Sequence, residues 1–284
     1  MIAFSVERIG KANKVKMYLD QNIWQNIIEN IEDSKFVEAS KKNNISYCVS
    51  TTNIYEFAKL FLDEFGNGYS LGKRIFDYYY KLLEIILFID EPQNLINNDI
   101  THALTGGKLF PYLDSVNEGL SKQEIYNLAQ GIVSDRLKIF ISNRINSMKK
   151  HSDNFVSTIK KVNKDNLMPT NFSEMKNNWA DRRYLLNNSE NHKTTKNISD
   201  DILFSEQNKY PYLNTWVNCQ LYINYITMKE GGKPNNFNDD MRHLIFANSA
   251  DYFVTEDSRL SSLTEKCGYV KVCASSKFKE MLTF

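Results

Sequence analysis

The sequence predicts an α/β protein in which a parallel β-sheet is flanked by helices, an α/β/α arrangement, with a large helical insertion. Two observations predict the sheet. Short strand-like segments are each followed at once by a polar or acidic residue and then by a helix, which is the pattern of βα units. These segments are rich in β-branched and aromatic residues and too short for helices. A third observation predicts the insertion, because from Ile100 to Ser205 the alternation of strands and helices disappears.

Composition excludes several classes of protein. The 284 residues are 42% hydrophobic and 24% charged, which is ordinary for a globular chain of one large domain or two small ones. The net charge of +1 gives no overall attraction to nucleic acid or membrane, so any such surface must be local. The cysteines lack the CxxC spacing of a zinc ribbon and do not suggest a disulfide framework. With no signal peptide or membrane span predicted, we expect a reduced, cytoplasmic protein.

Residues 1–99 are predicted to form the first half of the sheet and its helices. Lys14–Leu19 alternates polar and apolar residues, which predicts a strand that ends at Asp20. Ile45–Val49 predicts a second strand, which ends at Ser50. Helical spacing of apolar residues predicts the helices Asn22–Ile31, Ile54–Phe65 and Ser70–Phe88.

Residues 100–205 are predicted to form a helical insertion or subdomain. Ser121 and Glu124 have the spacing of a capping box, and apolar residues continue at helical intervals after them. Between Arg136 and Lys164, eight lysines and arginines stand against one acidic residue, Asp153. This basic segment is expected either to contact phosphates or to form a solvated helix face.

Residues 206–284 are predicted to complete the sheet. A helix of small residues begins near Asp239 and Asp240, where the exposed N–H groups of a helix favour carboxylates. The short segment Tyr252–Thr255 then predicts a buried strand that runs directly into an acidic loop. The remaining elements predicted here are the helix Pro211–Met228, the strand Tyr269–Cys273 and the helix Ser275–Met281.

Four carboxylates have equivalent places in this arrangement. Asp20 follows the first strand, and Asp257 follows Tyr252–Thr255. Glu56 is predicted in the first turn of the helix after the second strand, and Asp240 at the start of another helix. Because the carboxyl ends of parallel strands share one edge of the sheet, all four can reach one cleft, where open α/β sheets bind their ligands.

The chemistry of such a cleft favours a divalent cation. Carboxylates that lie close together repel one another, and Mg²⁺ or Mn²⁺ suits carboxylate and water ligands better than zinc does. Such an ion would activate water and shield the charge of a phosphodiester. Each carboxylate also has a structural alternative: helix capping for Asp20 and Asp240, a capping box with Asn53 for Glu56, and a turn for Asp257.

The segments that carry these carboxylates resemble the PIN-domain family of metal-dependent nucleases. The resemblance rests on YLDQN at Tyr18–Asn22, on TTNIYE ending at Glu56 and, most specifically, on NDDMRHLIFANSADYFVTED ending at Asp257. It covers about residues 13–92 and 210–284, and the residues between depart from the compact family pattern.

The resemblance implies a parallel sheet flanked by helices and hydrolysis of RNA phosphodiesters. It also implies that the catalytic residues are the ligands of Mg²⁺ or Mn²⁺, namely Asp20, Glu56, Asp240 and Asp257. Asp240 is preferred over Asp239 because it stands three residues before His243, in a D-x-x-H arrangement that many members of the family show.

Further residues are predicted to support this site or to contact RNA. Thr255 is expected to hydrogen-bond Asp257 or the metal shell, and His243 either contacts a phosphate or is simply packed. The other supporting candidates are Ser50, Asn22 and Asp239. The candidate RNA contacts are Lys149, Lys150, Lys160, Lys161, Arg182 and Arg183, the last two near Trp179. A core Trp179 with solvated arginines is the alternative for that last group.

The favoured function is therefore a Mg²⁺- or Mn²⁺-dependent nuclease, in particular an endoribonuclease, with RNA as its substrate and no membrane partner. The sequence leaves room for an inhibitory or assembly protein partner and for a homo-oligomer. Two other classes stay open: a PIN-like scaffold that binds RNA or protein without cutting, and a receiver-like module phosphorylated on Asp20. The four intact acidic positions argue against the first, and the long insertion argues against the second.

Overall fold

A six-stranded sheet lies at the centre of the computed structural model, which describes residues 14–62, 67–107, 111–113, 122–139, 141–143, 171–187, 195–196, 198–230 and 237–282. The strand order is β4-β3-β2-β1-β5-β6, with β4 antiparallel at one edge and the other five strands parallel. The strands are β1 (Val15–Leu19), β2 (Ile45–Val49), β3 (Ile86–Ile89), β4 (Tyr112–Leu113), β5 (Tyr252–Val254) and β6 (Lys271–Cys273).

Helices of the described residues cover both faces of this sheet. Those of the first half are α1 (Gln21–Asn30), α2 (Asp33–Lys42), α3 (Thr51–Ala58), which a 3₁₀ turn (Lys59–Leu62) continues, α4 (Asn67–Lys81) and α5 (Pro92–Thr105). Between the halves lie α6 (Lys122–Ala129), α7 (Phe172–Asn177) and α8 (Trp179–Asn187). The last part contributes α9 (Pro211–Glu230), α10 (Phe237–Ala247), α11 (Ser258–Cys267) and α12 (Ser275–Leu282).

Two apolar cores form because successive side chains of a strand point to opposite faces of the sheet. Met17 and Leu19 join the core that α1, α3, α4 and α12 cover, whereas Tyr18 between them joins the core under α5, α9, α10 and α11. Trp24 of α1 is fully buried in the first core. The predicted α/β class and the parallel sheet flanked by helices are confirmed.

The neighbouring strands β1 and β5 define where a ligand would bind. From β1 the chain builds β2 and β3 on one side, and it later returns to place β5 and β6 on the other. After β1 the chain enters α1, which packs into the first core, and after β5 it enters α11, which packs into the second. The following helices therefore diverge, and open α/β sheets form a ligand-binding crevice at such a point, here outside the carboxyl ends of β1 and β5.

One prediction about the elements is corrected, and some elements of the structure were not predicted. Ser70–Phe88 is not one helix, because α4 ends at Lys81 and Ile86–Ile89 forms β3, which pairs with β2. A strand buried on both faces is apolar throughout, so its spacing does not distinguish it from a helix. The helix Asp33–Lys42 and the short edge strand Tyr112–Leu113 were not predicted.

Described residues of the 100–205 segment pack on both faces of the sheet. Ile125 and Leu128 of α6 belong to the first core, and Leu186 of α8 and Leu203 belong to the second. The division into 1–99, 100–205 and 206–284 stays a prediction. Among the helices that the structure describes, none is both long and apolar enough to cross a membrane.

Candidate carboxylate site

Asp20 lies at the crevice between β1 and β5. It is the N-cap of α1, where its Oδ1 accepts a hydrogen bond of 3.0 Å from the backbone N–H of Ile23. Its Oδ2 accepts from the hydroxyl of Thr255, the residue that follows β5. Burial raises the pKa of the Asp20 carboxyl, and these hydrogen bonds oppose that rise only in part. Asp20 is therefore both the predicted helix cap and a buried acid that joins the ends of β1 and β5.

Glu56 lies one turn further into its helix than the sequence predicts. The helix α3 begins at Thr51, and its capping box is formed by Ser50 and Asn53, so the predicted box of Asn53 with Glu56 is wrong. Glu56 consequently projects from the second turn, where its Oε1 lies 3.3 Å from Nε2 of His243. Its Oε2 is buried and has no hydrogen-bond partner among the described residues.

A chain of buried hydrogen bonds runs from His243 back to the cap of α3. His243 Nδ1 lies 2.7 Å from the Tyr18 hydroxyl, which lies 2.9 Å from the Ser50 hydroxyl. Ser50 in turn donates to Asn53 Oδ1 over 3.0 Å. Predicted as a supporting residue, Ser50 is thus linked to the carboxylates, among the described residues, through Tyr18 and His243.

The proton count of this chain favours a charged His243. If Ser50 donates to Asn53, then Tyr18 must donate to Ser50, and His243 Nδ1 must donate to Tyr18. The other ring nitrogen, Nε2, faces the Glu56 carboxylate, which accepts a hydrogen bond. All of these hydrogen bonds can therefore form together only when both ring nitrogens of His243 carry a proton. Burial by itself would lower the pKa of His243, but the hydrogen bond and charge of Glu56 outweigh it, and the pKa is raised. When His243 is protonated, its ring places a positive charge among the acids.

Asp240 and Asp257 lie on the other side of the crevice and share Arg259 as a neighbour. The Arg259 guanidinium lies 3.1 Å from Asp240 Oδ1. Burial raises the pKa of Asp240 to about 6, while Arg259 and His243 act in the opposite direction. Asp257 is the N-cap of α11 and accepts from the backbone N–H groups of Arg259 at 2.8 Å and Leu260 at 3.1 Å. Its predicted alternative, a turn residue, is replaced by a helix cap.

The structure brings the predicted acids into one electrostatic neighbourhood, although each has its own partner. The pKa of His243 responds to the charges of Glu56 and Asp20, and the pKa of Asp240 responds to His243 and Asp257. Within the described ranges, no three His, Cys, Asp or Glu side chains form a ready metal-ligand group. The sharing of one ion by all four acids stays a prediction.

Two further supporting candidates take minor positions. Asn22 is exposed, and it is its backbone N–H that hydrogen-bonds Asp20. Asp239 lies partly buried in the first turn of α10, where its charge acts on both Asp240 and His243. Thr255 has the larger role, since its oxygen also accepts from the backbone N–H of Asp257 at 3.0 Å and so joins Asp257 to Asp20.

The proposed RNA contacts at Arg182 and Arg183 are not supported. Arg182 is fully buried and donates to the side-chain oxygens of Asn214 and Asn218. Arg183 is mostly buried and is paired with Asp200. Both guanidinium groups therefore hold the helices together, so the alternative of solvated arginines is wrong as well.

The other residues considered for RNA contacts are Trp179 and four lysines. Trp179 is 39% exposed and is not the core residue of the alternative prediction. The four lysines lie outside the described residues, so their predicted contacts with RNA stay untested: Lys149, Lys150, Lys160 and Lys161.

Sequence reasoning missed three residues of the site. Tyr18 lies inside a predicted strand, and the alternation Met17, Tyr18, Leu19 places it on the opposite face from its two neighbours, the face of His243. Asn53 stands three residues after Ser50, which is the spacing of a capping box. Arg259 follows two residues after Asp257, a separation that places it in the first turn of the helix that Asp257 caps.

Comparisons of the chain with protein-family models, with curated proteins and with solved structures find no match. The resemblance to the PIN-domain family therefore rests on the three sequence segments quoted above.

Proposed function

We propose that this chain is a Mg²⁺- or Mn²⁺-dependent, PIN-like ribonuclease of the cytoplasm that acts at the crevice between β1 and β5. The observation that supports this function best is the placement of Asp20. Its carboxyl is buried at the point where the sheet topology divides, it is tied to the end of β5 by Thr255, and its pKa is raised by burial. A buried acid at this point of an open α/β sheet indicates a functional site more than a structural one.

The donor groups fit a hard divalent cation. Asp20, Glu56, Asp240 and Asp257 offer carboxylate oxygens, and the buried Oε2 of Glu56 lacks a hydrogen-bond donor among the described residues. Burial disfavours the charged forms of Asp20 and Asp240, so a cation held by them would stabilise these carboxylates. When bound, the ion would supply Lewis-acid activation of water and stabilisation of charge on a phosphodiester.

The protein's own groups orient the carboxylates around that position. Thr255 fixes the rotamer of Asp20, and the chain from Ser50 through Tyr18 to His243 fixes Glu56. The Arg259 side chain is 57% exposed beside Asp240, where a guanidinium can also hydrogen-bond a phosphate oxygen of RNA.

The function is tested by incubating the purified protein with total RNA in the presence of Mn²⁺ or a chelator. We expect cleavage with Mn²⁺ only, and a loss of at least about a hundredfold in Asp20→Asn and Glu56→Gln, as for a group that acts directly in the transition state. Asp90→Asn is the matched control, because Asp90 follows β3, two strands from β1 at the same edge. Wild-type cleavage in chelator, or full activity of Asp20→Asn, would contradict the proposal.

A PIN-like scaffold that binds RNA or a protein without cutting is the second candidate, and one observation favours it. The Arg259 guanidinium and the His243 imidazole already lie against Asp240 and Glu56, so Arg259, and His243 when it is protonated, offset part of the negative charge without a metal. The scaffold predicts RNA or protein binding that Mn²⁺ does not change and no cleavage products under any condition. The same incubations, followed by a binding measurement, separate the two candidates.

A further inference from the structure

The ion pair between Arg259 and Asp240 is the more exposed of the two charged contacts described at the carboxylate site. The Arg259 guanidinium lies 3.1 Å from Asp240 Oδ1, and the Arg259 side chain is 57% exposed. The side chains of His243 and Glu56, which form the other contact, are 6% and 13% exposed, and Tyr18 holds the second ring nitrogen of His243. Of the two basic groups, the guanidinium is therefore the one that can leave without breaking buried hydrogen bonds.

The position of Arg259 does not favour the helix that carries it. Arg259 is the second residue of α11, and the partial positive charge at the N-terminus of a helix disfavours a cation there. Its backbone N–H donates to Asp257, the N-cap, at 2.8 Å. The backbone thus holds Arg259 beside two of the four acids, while the end of its side chain reaches solvent. An arginine at this point acts on the carboxylate site and not on the stability of α11.

Arg259 occupies the same carboxylate that a divalent cation would use. Burial raises the pKa of Asp240 to about 6, and among the groups that oppose this rise the charge of Arg259 comes first. A divalent cation held by Asp240 and the neighbouring guanidinium would repel each other, because both are positive. An exposed ion pair contributes little to stability, so this pair opens at small cost. A phosphate of RNA can then accept two parallel hydrogen bonds from the guanidinium.

We propose that Arg259 couples RNA binding to metal binding, because it pairs with Asp240 when RNA is absent and with a phosphate of the RNA backbone when RNA is bound. This inference rests on the proposed function, since it concerns the same four acids. When the guanidinium moves to the phosphate, Asp240 is left to the divalent cation. Each of the two ligands therefore strengthens the binding of the other by the same factor. The chain holds its metal weakly until the substrate arrives.

Calorimetric titration of the full chain with Mn²⁺, without RNA, measures the competition at about pH 8, above the pKa of about 6 of Asp240. Arg259→Gln removes the positive charge, so the variant should bind Mn²⁺ at least about fivefold more tightly than the wild type. Arg259→Lys keeps the charge and should stay close to the wild type. In chelator, Arg259→Gln should bind single-stranded RNA more weakly, with a salt slope smaller by about 0.7, the value for one phosphate contact. The two affinities should therefore change in opposite directions, whereas a misfolded variant would lose both.

The matched control is Lys41→Gln, which also removes one positive charge from an exposed ion pair, here with Glu84. Lys41 lies near the end of α2, just before β2 and thus at the opposite edge of the sheet, so both affinities should keep their wild-type values. A wild type that binds Mn²⁺ and cuts RNA, with an Arg259→Gln variant of equal or weaker Mn²⁺ affinity or of unchanged RNA affinity, overturns this inference alone. A wild type that neither binds Mn²⁺ nor cuts RNA overturns the proposed function and this inference with it.

Discussion

Asp20 combines two roles that a substitution can separate. As the N-cap of α1 it needs only an oxygen acceptor, and asparagine caps a helix nearly as well as aspartate. As a buried acid with a raised pKa it also carries a charge that destabilises the protein in the absence of a cation. We therefore predict that Asp20→Asn melts at the same temperature as the wild type or slightly higher without Mn²⁺, while RNA cleavage is lost.

Thermal melting with increasing Mn²⁺ completes this test. A ligand that binds only the folded state stabilises it by about 2.7 kcal/mol at a hundred times its Kd. The wild type should show such a rise in melting temperature, and Asp20→Asn should show little. A wild type that Mn²⁺ does not stabilise would remove Asp20 from the set of ligands, whatever the cleavage assay shows.

Asp99 gives a pH dependence that is independent of the carboxylate site. It is buried in α5 and accepts from the backbone N–H of Leu213 at 2.9 Å, in the first turn of α9. Burial raises the pKa of Asp99 to about 7, well above its value in an unfolded chain. Between about pH 4 and 7 the folded state therefore holds the extra proton, and stability falls as the pH rises.

Asp99→Asn should remove the contribution of Asp99 to that fall while keeping the acceptor for Leu213. We predict that the variant is more stable than the wild type at pH 8, by up to a few kcal/mol, and that the difference shrinks toward pH 4. Urea unfolding at both pH values measures it. An exposed carboxylate, Asp201, provides the control variant Asp201→Asn, which should leave the pH dependence unchanged. Parallel curves for wild type and Asp99→Asn would contradict the prediction.

Individual residues differ in how far the sequence predicts them. Asp20 and Asp257 are placed correctly beside the ends of strands, because their position depends on local chain order. The burial of Arg182 depends on Asn214 and Asn218, which come more than thirty residues later in α9. No local sequence pattern reveals a contact over that distance. In the sequence alone, arginines near Trp179 therefore suggest a surface that binds RNA.

At the scale of elements, strands are predicted correctly where turn residues mark their ends. The strand Ile45–Val49 follows Asn44, which adopts a left-handed φ of 56°, and it ends at the helix cap Ser50. The strand Ile86–Ile89 follows α4 through the turn 82–85, which is apolar except for Glu84 and contains neither glycine nor proline. The helix period of α4 thus continues through the turn in the sequence although the chain has left the helix.

Two glycines that follow helices allow a prediction about stability in which one glycine is the control for the other. Gly131, two residues after α6, has φ of +79°, and a Cβ there would clash with the Tyr69 hydroxyl. That hydroxyl donates to the carbonyl of Gly131 itself at 2.6 Å, so it cannot move away without losing a hydrogen bond. Gly106, the C-cap of α5, has a similar φ of +69° and open space around it.

Gly106→Ala should therefore cost only backbone strain, about 1–2 kcal/mol. Gly131→Ala should cost that strain together with the clash or the lost hydrogen bond, roughly a further 1–3 kcal/mol. Urea unfolding of both variants gives the difference directly. Equal losses would show that Tyr69 yields at no cost and that its contact with Gly131 does not stabilise the packing of α6 on α4.

At the scale of the whole molecule, the sheet separates two apolar cores, and the sequence does not show which helices belong to which core. Residues between 100 and 205 enter both of them, through α6 on one face and α8 on the other. Apolar spacing predicts that these segments are helices, but not against which face of the sheet they pack. The choice of face depends on contacts between distant segments, as for Tyr80 of α4, whose ring lies 5.3 Å from that of Tyr126 in α6.

At the scale of the whole chain, charge determines how RNA binding should depend on salt. The net charge is +1, so attraction to RNA must come from a local excess of lysine and arginine, such as the one between Arg136 and Lys164. Each phosphate contact that lysine makes releases counterions, and the logarithm of the binding constant falls with the logarithm of salt by about 0.7 per contact for single strands.

Alanine at the four lysines of that segment (Lys149, Lys150, Lys160 and Lys161) should weaken RNA binding and reduce this salt slope by up to about three. Four exposed lysines elsewhere provide the control, because replacing them changes the net charge by the same amount, from +1 to −3 (1 − 4): Lys42, Lys271, Lys277 and Lys279. Filter binding between about 50 and 200 mM salt, around the range where such contacts dominate, measures both variants. We expect the first variant alone to lose slope, because only contacts at the phosphates release counterions. If both variants lose the same slope, the overall charge governs binding, and the basic segment is only solvated surface.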